Sequence, residues 1–335
     1  MFRKILVFRP CACLFLAVLS LIASGCIKPK ITLFPDASEP LKEFTLQGAG
    51  QEKILIIPIK GFISDSQKEL ALRRRPSTVQ EVVSELKKAE KDTDIKAVVL
   101  KIDSPGGSVT ASDMLYHEIM GYKERSKVKV VAVMMGVAAS GGYYIALPAD
   151  CILAHPTSIT GSIGVVFLRP NVGGLMDKIG LTMEADKSGK NKDMGSPFRK
   201  ATEEEQRIVQ KLIDDLGERF LNLVVAHRRL SDEAKADVSS ARIYLAADAL
   251  RLGLIDRIGY LDDAIRSAAR LASLDENAKV VVYRRTEHHD DNLYNTSTSR
   301  PAGAPEINLI DLGLSEAIPP LLNGFYYLWL PGQSD

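Results

Sequence analysis

Residues Ile95–Ser108 (IKAVVLKIDSPGGS) form an apolar run rich in β-branched residues that ends in a pair of glycines. Such a run predicts a buried strand, and the glycines mark the turn where that strand stops. Lys53–Ile59 (KILIIPI) and Val128–Met134 (VKVVAVM) are runs of the same kind. Between the three runs lie segments whose apolar residues have the spacing of a helix. Strands that alternate with helices predict an α/β sheet covered by helices.

The spacing of apolar residues also predicts where the helices lie. Thr202 precedes the longest of them and is followed three residues later by Glu205, which is a capping box. A further strand is expected at Lys279–Tyr283. The predicted helices are 78–90, 111–124, 203–229, 246–252 and 262–272.

Composition excludes several classes of protein. Of the 335 residues 46% are hydrophobic and 25% are charged, which is typical of a globular protein and excludes wholesale disorder and a polytopic membrane protein. The 43 Lys and Arg residues are balanced by 42 Asp and Glu residues, so no basic excess is available for a phosphate backbone. We therefore expect no nucleic acid among the partners.

The N-terminus has the pattern of an export signal. Basic residues precede the apolar run Cys11–Ala23, which is shorter than the roughly 20 residues that span a membrane. Ala23-Ser24-Gly25-Cys26 then resembles a bacterial lipoprotein box, in which the cysteine carries the lipid. We expect residues 1–25 to be a lipoprotein-like signal, with an uncleaved membrane anchor as the alternative, and residues 26–52 to be a linker.

The remaining cysteines indicate neither a disulfide nor a metal site. Cys11 and Cys13 lie inside the signal and Cys26 is the lipidation candidate, so Cys151 is left without a partner. No cluster of Cys and His has the spacing of metal ligands, and no dinucleotide or phosphate loop motif occurs. We expect no cofactor and no metal.

The folded body is predicted to span residues 53–284, followed by two different segments. Residues 285–306 are polar and rich in Asn, Ser, Thr and Pro, which predicts a disordered linker. Residues 307–335 form an apolar tail that Pro319 and Pro320 interrupt, so one continuous spanning helix is excluded. Because residues 307–330 lack Lys and Arg, we favour docking on protein over the membrane interface. A C-terminal helix that completes the core is the alternative.

Three glycine-containing segments follow predicted strands, at the sheet edge where ligands bind in open α/β folds. They are Asp103–Ser108, Ala138–Tyr144 and Thr160–Gly164. Glycines there let backbone N–H groups approach a substrate closely, and Ser140 opens a short predicted helix whose positive end favours an oxyanion. The alternative is that these are turns in which small residues permit close packing of helices.

A serine nucleophile needs a base, and two kinds are available. His155 is the only histidine in a suitable strand-to-turn context. The other source is a polar loop, placed after a predicted strand at 181–185, that carries Lys187, Lys190 and Lys192. A lysine base must lose roughly three pKa units, about 4 kcal/mol, by desolvation. The lysines that stay solvated are surface charge.

The order S-P-G-G, A-S-G-G-Y-Y, T-G-S-I-G-V and K-S-G-x-x-K-D resembles the SppA-type signal peptide peptidases. These are serine proteases with a Ser-Lys dyad on a ClpP/crotonase-like fold of repeated ββα units, and the resemblance covers roughly residues 53–275. It implies that Ser140 is the nucleophile and Lys192 the general base. It also implies that Ser162 positions the lysine and that Gly107 and Gly141 donate to the oxyanion.

The resemblance implies further expectations about partners and location. Family members assemble into rings and cut hydrophobic peptides, such as cleaved signal peptides, at the membrane. Membrane lipid and a ring-shaped homo-oligomer are therefore expected partners, with the catalytic domain on the exported side of a bacterial cell envelope. Two alternatives are an inactive exported scaffold that binds peptides and a crotonase-like acyl-CoA binder, because the same fold polarises thioesters.

Overall fold

The computed structural model describes residues 39–70, 73–275, 277–288, 291–294 and 324–329. The predicted signal at residues 1–25 and the lipidation candidate Cys26 lie outside them, as does the whole segment from 295 to 323. The strands are β1 Lys42–Gln47, β2 Lys53–Lys60, β3 Lys68–Leu70, β4 Arg73–Arg75, β5 Ile95–Ser104, β6 Gly106–Ser108, β7 Lys129–Ala139, β8 Cys151–Ala154, β9 Ile159–Gly161, β10 Val166–Leu168, β11 Ile243–Leu245, β12 Arg257–Ile258, β13 Lys279–Arg284 and β14 Gly324–Leu328. The helices are α1 Thr78–Ala89, α2 Val109–Ser126, α3 Gly141–Tyr144, α4 Gly173–Ile179, α5 Glu203–His227, α6 Asp232–Val238, α7 Ala246–Arg251 and α8 Leu261–Leu271.

The main sheet has the strand order β1-β13-β2-β5-β7-β8-β12. Strands β13, β2, β5, β7, β8 and β12 run parallel, and β1 adds to the edge in the antiparallel direction. Strand β7 also pairs with β9 near its end. The predicted α/β class with a mainly parallel sheet is therefore confirmed.

The apolar strands are buried on both faces of the sheet. Along β2, Leu55 and Ile57 belong to one buried cluster, whereas Ile54 and Ile56 belong to a second cluster on the opposite face. Helix α8 packs in the second cluster, and α1, α2 and α5 contribute to the first. Because both faces are covered, the strands are continuously apolar rather than alternating.

Strand β1 lies inside the stretch 26–52 that the sequence indicated to be a linker. It pairs with β13, with Phe44 opposite Val282. The expected start of the fold near Lys53 is therefore wrong by one strand. An edge strand is held through its backbone and is largely exposed, so it needs no strong apolar pattern.

The expected strand at residues 181–185 does not form. These residues have no regular structure, and Leu181 and Met183 are 54% and 57% exposed. The alternation of apolar and polar residues predicts a strand only where a neighbouring layer covers one face. Helix α4 precedes this stretch instead and exposes Leu175 and Ile179.

The described part of the apolar tail docks on the protein as a strand. Strand β14 pairs antiparallel with β6 on one side and with β10 on the other. Tyr327 is fully buried, and Tyr326 and Leu328 are nearly so. The alternative of a C-terminal helix does not hold for these residues. Within the described ranges, no helix has the length and apolar character needed to cross a membrane.

Candidate active site

Ser140 stands between the end of β7 and the start of α3, in a conformation that is rare for a residue with a side chain. Its backbone angles are φ 53° and ψ −116°. The Ser140 N–H donates to the Gly161 carbonyl oxygen at 2.8 Å, and the Ser140 carbonyl accepts from Tyr143 and Tyr144 at 2.9 Å each. These bonds on both sides of the residue hold the strained backbone. Such strain occurs at functional sites more often than elsewhere.

The side chain of Ser140 is equally unusual. The residue is fully buried, and its Oγ has no hydrogen-bond partner among the described residues. A buried hydroxyl without a partner costs free energy, typically about 1–3 kcal/mol. Folded proteins retain such an unpartnered hydroxyl where it has a functional role, and a nucleophile that reacts with a substrate is one example.

Two backbone N–H groups meet beside this serine. Ile63 N–H donates to the Gly106 carbonyl on one side of β6, so the neighbouring Gly107 N–H points to the other side. A Cβ added to Gly141 would lie 3.1 Å from the Gly107 nitrogen, which places the two glycine backbones in contact. Gly141 is the first residue of its helix and has no acceptor within it. The pair has the arrangement of an oxyanion hole.

Helix α3 has only four residues, so the expected contribution of a helix dipole is small. The individual N–H groups, rather than the positive end of a long helix, are the donors that an oxyanion would meet. Ser140 does precede a helix, as expected, but the helix is too short for its dipole to contribute much.

Short polar side chains hold the S-P-G-G loop in place. Ser104 Oγ donates to the Gly61 carbonyl at 2.7 Å and accepts from the Gly106 N–H at 3.1 Å. The Asp103 carboxylate accepts from the Val137 N–H at 3.0 Å, across an irregularity in the pairing of β5 with β7. The loop is therefore tied both to Gly61, the residue after β2, and to β7, the strand that precedes Ser140.

Ser162 lies beside Ser140 because of the strand register. Ala139 at the end of β7 is paired with Gly161 at the end of β9, so the next residue of each chain segment is a serine. Ser162 is half-buried, has φ 51°, and its N–H donates to the Arg242 carbonyl at 2.8 Å. The structure thus brings together four of the predicted site residues: Ser140, Ser162, Gly107 and Gly141.

Lys192 is not joined to this group by a hydrogen bond. Its side chain is exposed, on a loop after the irregular stretch that follows α4. Lys187 forms an ion pair with Asp193 at 2.9 Å, and Lys190 forms one with Glu204 at 2.8 Å. These two lysines are therefore surface charges, whereas Lys192 makes no ion pair with the described residues.

An ion-pair network that the sequence did not reveal anchors the lysine loop to helix α5. Arg199 Nε donates to Asp193 at 2.8 Å, and its Nη1 donates to Glu205 at 2.9 Å. Glu205 also accepts from the Thr202 N–H, which completes the predicted capping box. Hydrogen bonds from Arg199, and then from Thr202, lower the pKa of Glu205 to about 2. The residue that follows Lys192 is therefore fixed even though Lys192 is exposed.

His155, the alternative base, makes other contacts. Its Nδ1 lies 2.9 Å from the Thr157 hydroxyl, and its ring packs edge-on against Tyr260. Since Ser140 Oγ has no hydrogen-bond partner among the described residues, His155 is not paired with it.

A mainly parallel α/β sheet with a buried, strained serine beside two glycine N–H groups defines a serine hydrolase of the ClpP-like type. Residues 122–275 match the profile described as peptidase family S49, and residues 70–158 match that of the Clp protease. The chain belongs to peptidase family S49 and is a serine peptidase, which confirms the predicted resemblance and fold.

Curated relatives support this assignment. The chain is 34% identical over 252 residues to a putative signal peptide peptidase SppA from Enterococcus faecium, which is 75% of this chain and 73% of that protein. It is 40% identical over 225 residues to a putative protease from Synechocystis sp., and the match covers 67% of this chain and 76% of that protein. It is 31% identical over 285 residues to the chloroplastic serine protease SPPA of Arabidopsis thaliana. That match covers 84% of this chain and 41% of that protein.

Replacing Arg199 by glutamine is expected to destabilise the protein in a pH-dependent way. Glu205 has a lowered pKa in the fold, so its ion pair stabilises above about pH 4.3, the ordinary value, and is lost as the pH falls through about 2. The variant should be less stable by about 2 kcal/mol at pH 7, because buried Glu205 loses its partner. Urea unfolding at pH 7 and at pH 3 measures the free energy of unfolding of both proteins. The difference between variant and wild type should be smaller at pH 3.

The matched control for this prediction is Arg207→Gln, which removes the same charge from an exposed position on α5. It should unfold like the wild type at both pH values. A difference between Arg199→Gln and wild type that is the same at pH 7 and pH 3 would contradict the assigned role of the ion pair.

Proposed function

We propose that the chain hydrolyses peptide bonds with Ser140 as nucleophile and Lys192 as general base, while the N–H groups of Gly107 and Gly141 bind the oxyanion. The observation that carries this proposal is the convergence of a strained, buried serine with two glycine N–H groups at one sheet edge. Nucleophile and oxyanion donors must both lie near a single reacting carbonyl, and this edge meets that requirement.

In the proposed reaction, neutral Lys192 takes the proton of Ser140 as its Oγ bonds to the substrate carbonyl carbon. The carbonyl oxygen becomes an oxyanion that accepts hydrogen bonds from Gly107 and Gly141. The C–N bond then breaks, and the leaving amine takes the proton from Lys192. A water molecule, deprotonated by Lys192, attacks the carbonyl carbon of the acyl-Ser140 ester. The ester C–O bond breaks, Lys192 returns the proton to Ser140 Oγ, and the second product is released. The hydroxyl of Ser162 holds the lysine amine toward Ser140 during both steps.

This role requires Lys192 to leave solvent before it can act. A lysine with an ordinary pKa of about 10.4 is almost fully protonated at pH 7, and desolvation is what makes it a base. We infer that another copy of the chain, or closure of the loop over Ser140, covers Lys192. The exposed apolar residues Leu175, Ile179, Leu181 and Met183 support the first route, since exposed apolar patches mark protein contacts. This is also the ring-shaped assembly that the resemblance implies.

We further propose that the substrates are hydrophobic peptides, such as cleaved signal peptides, and that the protein works at a membrane. The name of the Enterococcus faecium relative, a putative signal peptide peptidase, supports the substrate class. The N-terminal pattern that ends in Cys26 supports attachment through lipid or an anchor helix, with the peptidase domain on the exported side of a bacterial envelope.

Alanine substitutions of Ser140 and of Lys192 should each abolish turnover of an internally quenched hydrophobic peptide, by about 10³-fold or more in kcat. The double variant should lose little more, because the two residues act as one unit. The wild-type rate should rise from pH 6 to pH 9, because a lysine acts as a base only in its neutral form. Steady-state kinetics on the full chain measure all four proteins.

Lys190→Ala is the matched control, since it removes a loop lysine whose ammonium is already paired with Glu204. It should retain the wild-type rate. Cleavage by Ser140→Ala would refute the nucleophile, and an unchanged rate in Lys192→Ala would refute the base. Activity restored by mixing Ser140→Ala with Lys192→Ala would place the base of one copy beside the serine of another.

Cys26→Ser should prevent lipid attachment, because lipidation needs the thiol of this residue. Labelled palmitate fed to cells that express the full chain should enter the wild type and not the variant, as measured by gel fluorescence. Cys151→Ser is the control, since Cys151 lies in the folded domain and should not affect labelling. A membrane-bound protein that still begins at Met1 would contradict lipidation and favour the anchor helix.

A further inference from the structure

The β3–β4 hairpin, residues 68–75, is separate from the main sheet. Its two strands pair antiparallel with each other, with Leu70 opposite Arg73. Among the described residues they form a two-stranded sheet of their own. An isolated two-stranded hairpin is at best marginally stable in water, so a partner that binds this one would also stabilise it.

The sequence of the hairpin, KELALRRR, combines an apolar tip with basic arms. Hairpin turns usually carry Gly, Asn or Asp, whereas this tip consists of Leu70, Ala71 and Leu72. The arms contain Lys68 and the three consecutive arginines Arg73–Arg75. Residues 60–75 carry five basic and two acidic side chains, in a chain whose formal net charge is only +1. The hairpin is therefore a local concentration of positive charge around an apolar tip.

The segments on both sides of the hairpin are tied to the candidate active site. The Ile63 N–H donates to the Gly106 carbonyl at 2.9 Å, and the Ser108 N–H donates to the Ile63 carbonyl at 3.0 Å. The Thr78 hydroxyl, at the start of α1, donates to the Phe62 carbonyl at 3.0 Å. The base of the hairpin is thus held close to β6, the strand that contributes a candidate oxyanion donor.

The N-terminal segment enters the fold at the same edge of the main sheet. Strand β1 is antiparallel to β13, with Lys42 opposite Arg284 at the carboxyl end of β13. Strand β13 is parallel to β2, and the carboxyl end of β2 leads toward the hairpin. Lys42 lies 16 residues after Cys26, a length of chain that extends at most about 55 Å. Attachment to a membrane at Cys26 would therefore keep this edge of the sheet within reach of the bilayer surface.

The composition of the hairpin fits an anionic lipid surface better than an acidic protein or a free phosphate ion. Guanidinium groups form bidentate hydrogen bonds with phosphate oxygens, and each basic side chain near an anionic bilayer adds to the attraction. The apolar tip needs a partner that is apolar beneath its charged surface, and a bilayer has that layering. A free phosphate ion offers no apolar contact to Leu70 and Leu72.

We propose that the β3–β4 hairpin binds the anionic headgroups of a phospholipid bilayer, with Arg73–Arg75 at the phosphates and the leucines of the tip at the interface. A lipid or helix anchor limits only the distance to the membrane, whereas the bound hairpin also turns the candidate active-site edge toward it. Hydrophobic peptides concentrate in the bilayer, so this orientation brings the site to its substrates. The lipid binding needs no catalytic residue, but its benefit to cleavage rests on the proposed peptidase function.

The first experiment measures, by flotation, the partition of the full-length protein into vesicles that contain phosphatidylglycerol and into vesicles of phosphatidylcholine alone. The ratio of the two partition coefficients cancels the contribution of the N-terminal anchor. Arg73→Gln/Arg74→Gln/Arg75→Gln should lower this ratio about a hundredfold, because three arginines lose their attraction to the anionic surface. The wild-type ratio should also fall when salt is raised from about 0.1 M to about 1 M, which shortens the screening length from about 10 Å to about 3 Å.

The matched control is Lys91→Gln/Lys96→Gln/Lys129→Gln, which removes three exposed charges from the opposite end of the sheet. Lys96 and Lys129 lie at the amino ends of β5 and β7, and Lys91 lies in the connection before β5. This variant should keep the wild-type ratio. Leu72→Ser should lower partition into the anionic vesicles about tenfold, because an apolar side chain no longer enters the interface.

The second experiment measures cleavage of a quenched hydrophobic peptide inserted in the anionic vesicles and of a short soluble peptide in detergent. The triple arginine variant should cleave the inserted peptide about tenfold more slowly than the wild type, because it no longer shares the surface with its substrate. It should cleave the soluble peptide at the wild-type rate, which shows that the variant is folded. Ser140→Ala should bind the vesicles like the wild type and cleave neither peptide.

The results distinguish the lipid-binding inference from the proposed function. An unchanged partition ratio in the triple arginine variant, or an equal loss in the lysine control, would overturn the inference. A variant that binds vesicles normally but changes the mass of the assembly in light scattering would also overturn it, since the hairpin would then contact another copy of the chain. Loss of lipid binding without slower cleavage of the inserted peptide would refute the orienting role. Cleavage that persists in Ser140→Ala would instead overturn the proposed function.

Discussion

The candidate active site depends on the way strand β7 changes partner along its length. Its first part pairs with β8 through Val131–Met134, and its last residues pair with β9 through Val137–Ala139. The chain between these parts is held by the bond from the Val137 N–H to Asp103. The change of partner places Ser140 next to Gly161 and Ser162 and bends its backbone into a positive φ. Without that second pairing, the Ser140 N–H would lose its bond to Gly161, and only the bonds to the Ser140 carbonyl would hold the strained backbone.

The second constraint is the close approach of two backbone segments. Gly106 has φ 104°, a conformation that only glycine adopts readily, and its Cα lies against the start of α3. This contact is what brings the N–H groups of Gly107 and Gly141 together. The same closeness leaves a narrow slot at β6, which β14 fills. Geometry that suits an oxyanion therefore also suits an extended strand, so the proposed oxyanion donors and the position of β14 depend on one feature of the fold.

Much of the fold could be predicted because its strands are buried on both faces and therefore continuously apolar. The three glycine segments were expected at one edge of the sheet, and the family resemblance selected Ser140, Ser162, Gly107 and Gly141 within them. Local sequence patterns did not predict the elements that are held by residues far away in the sequence. Strand β1 is held by pairing with β13, more than 200 residues away, and β14 by pairing with β6 at a similar separation. The Arg199 network depends on a loop whose path the sequence misassigned as following a strand at 181–185.

The most direct test of the central claim is the site and pH dependence of covalent labelling by a fluorophosphonate, which reacts with activated serine hydroxyls. The labelled full-length protein would be digested, and the modified residue would be identified by mass spectrometry. We predict an adduct on Ser140, a labelling rate that rises from pH 6 to pH 9, and a rate at least about a hundredfold lower in Lys192→Ala. An adduct on another serine, or equal labelling of wild type and Lys192→Ala, would contradict it.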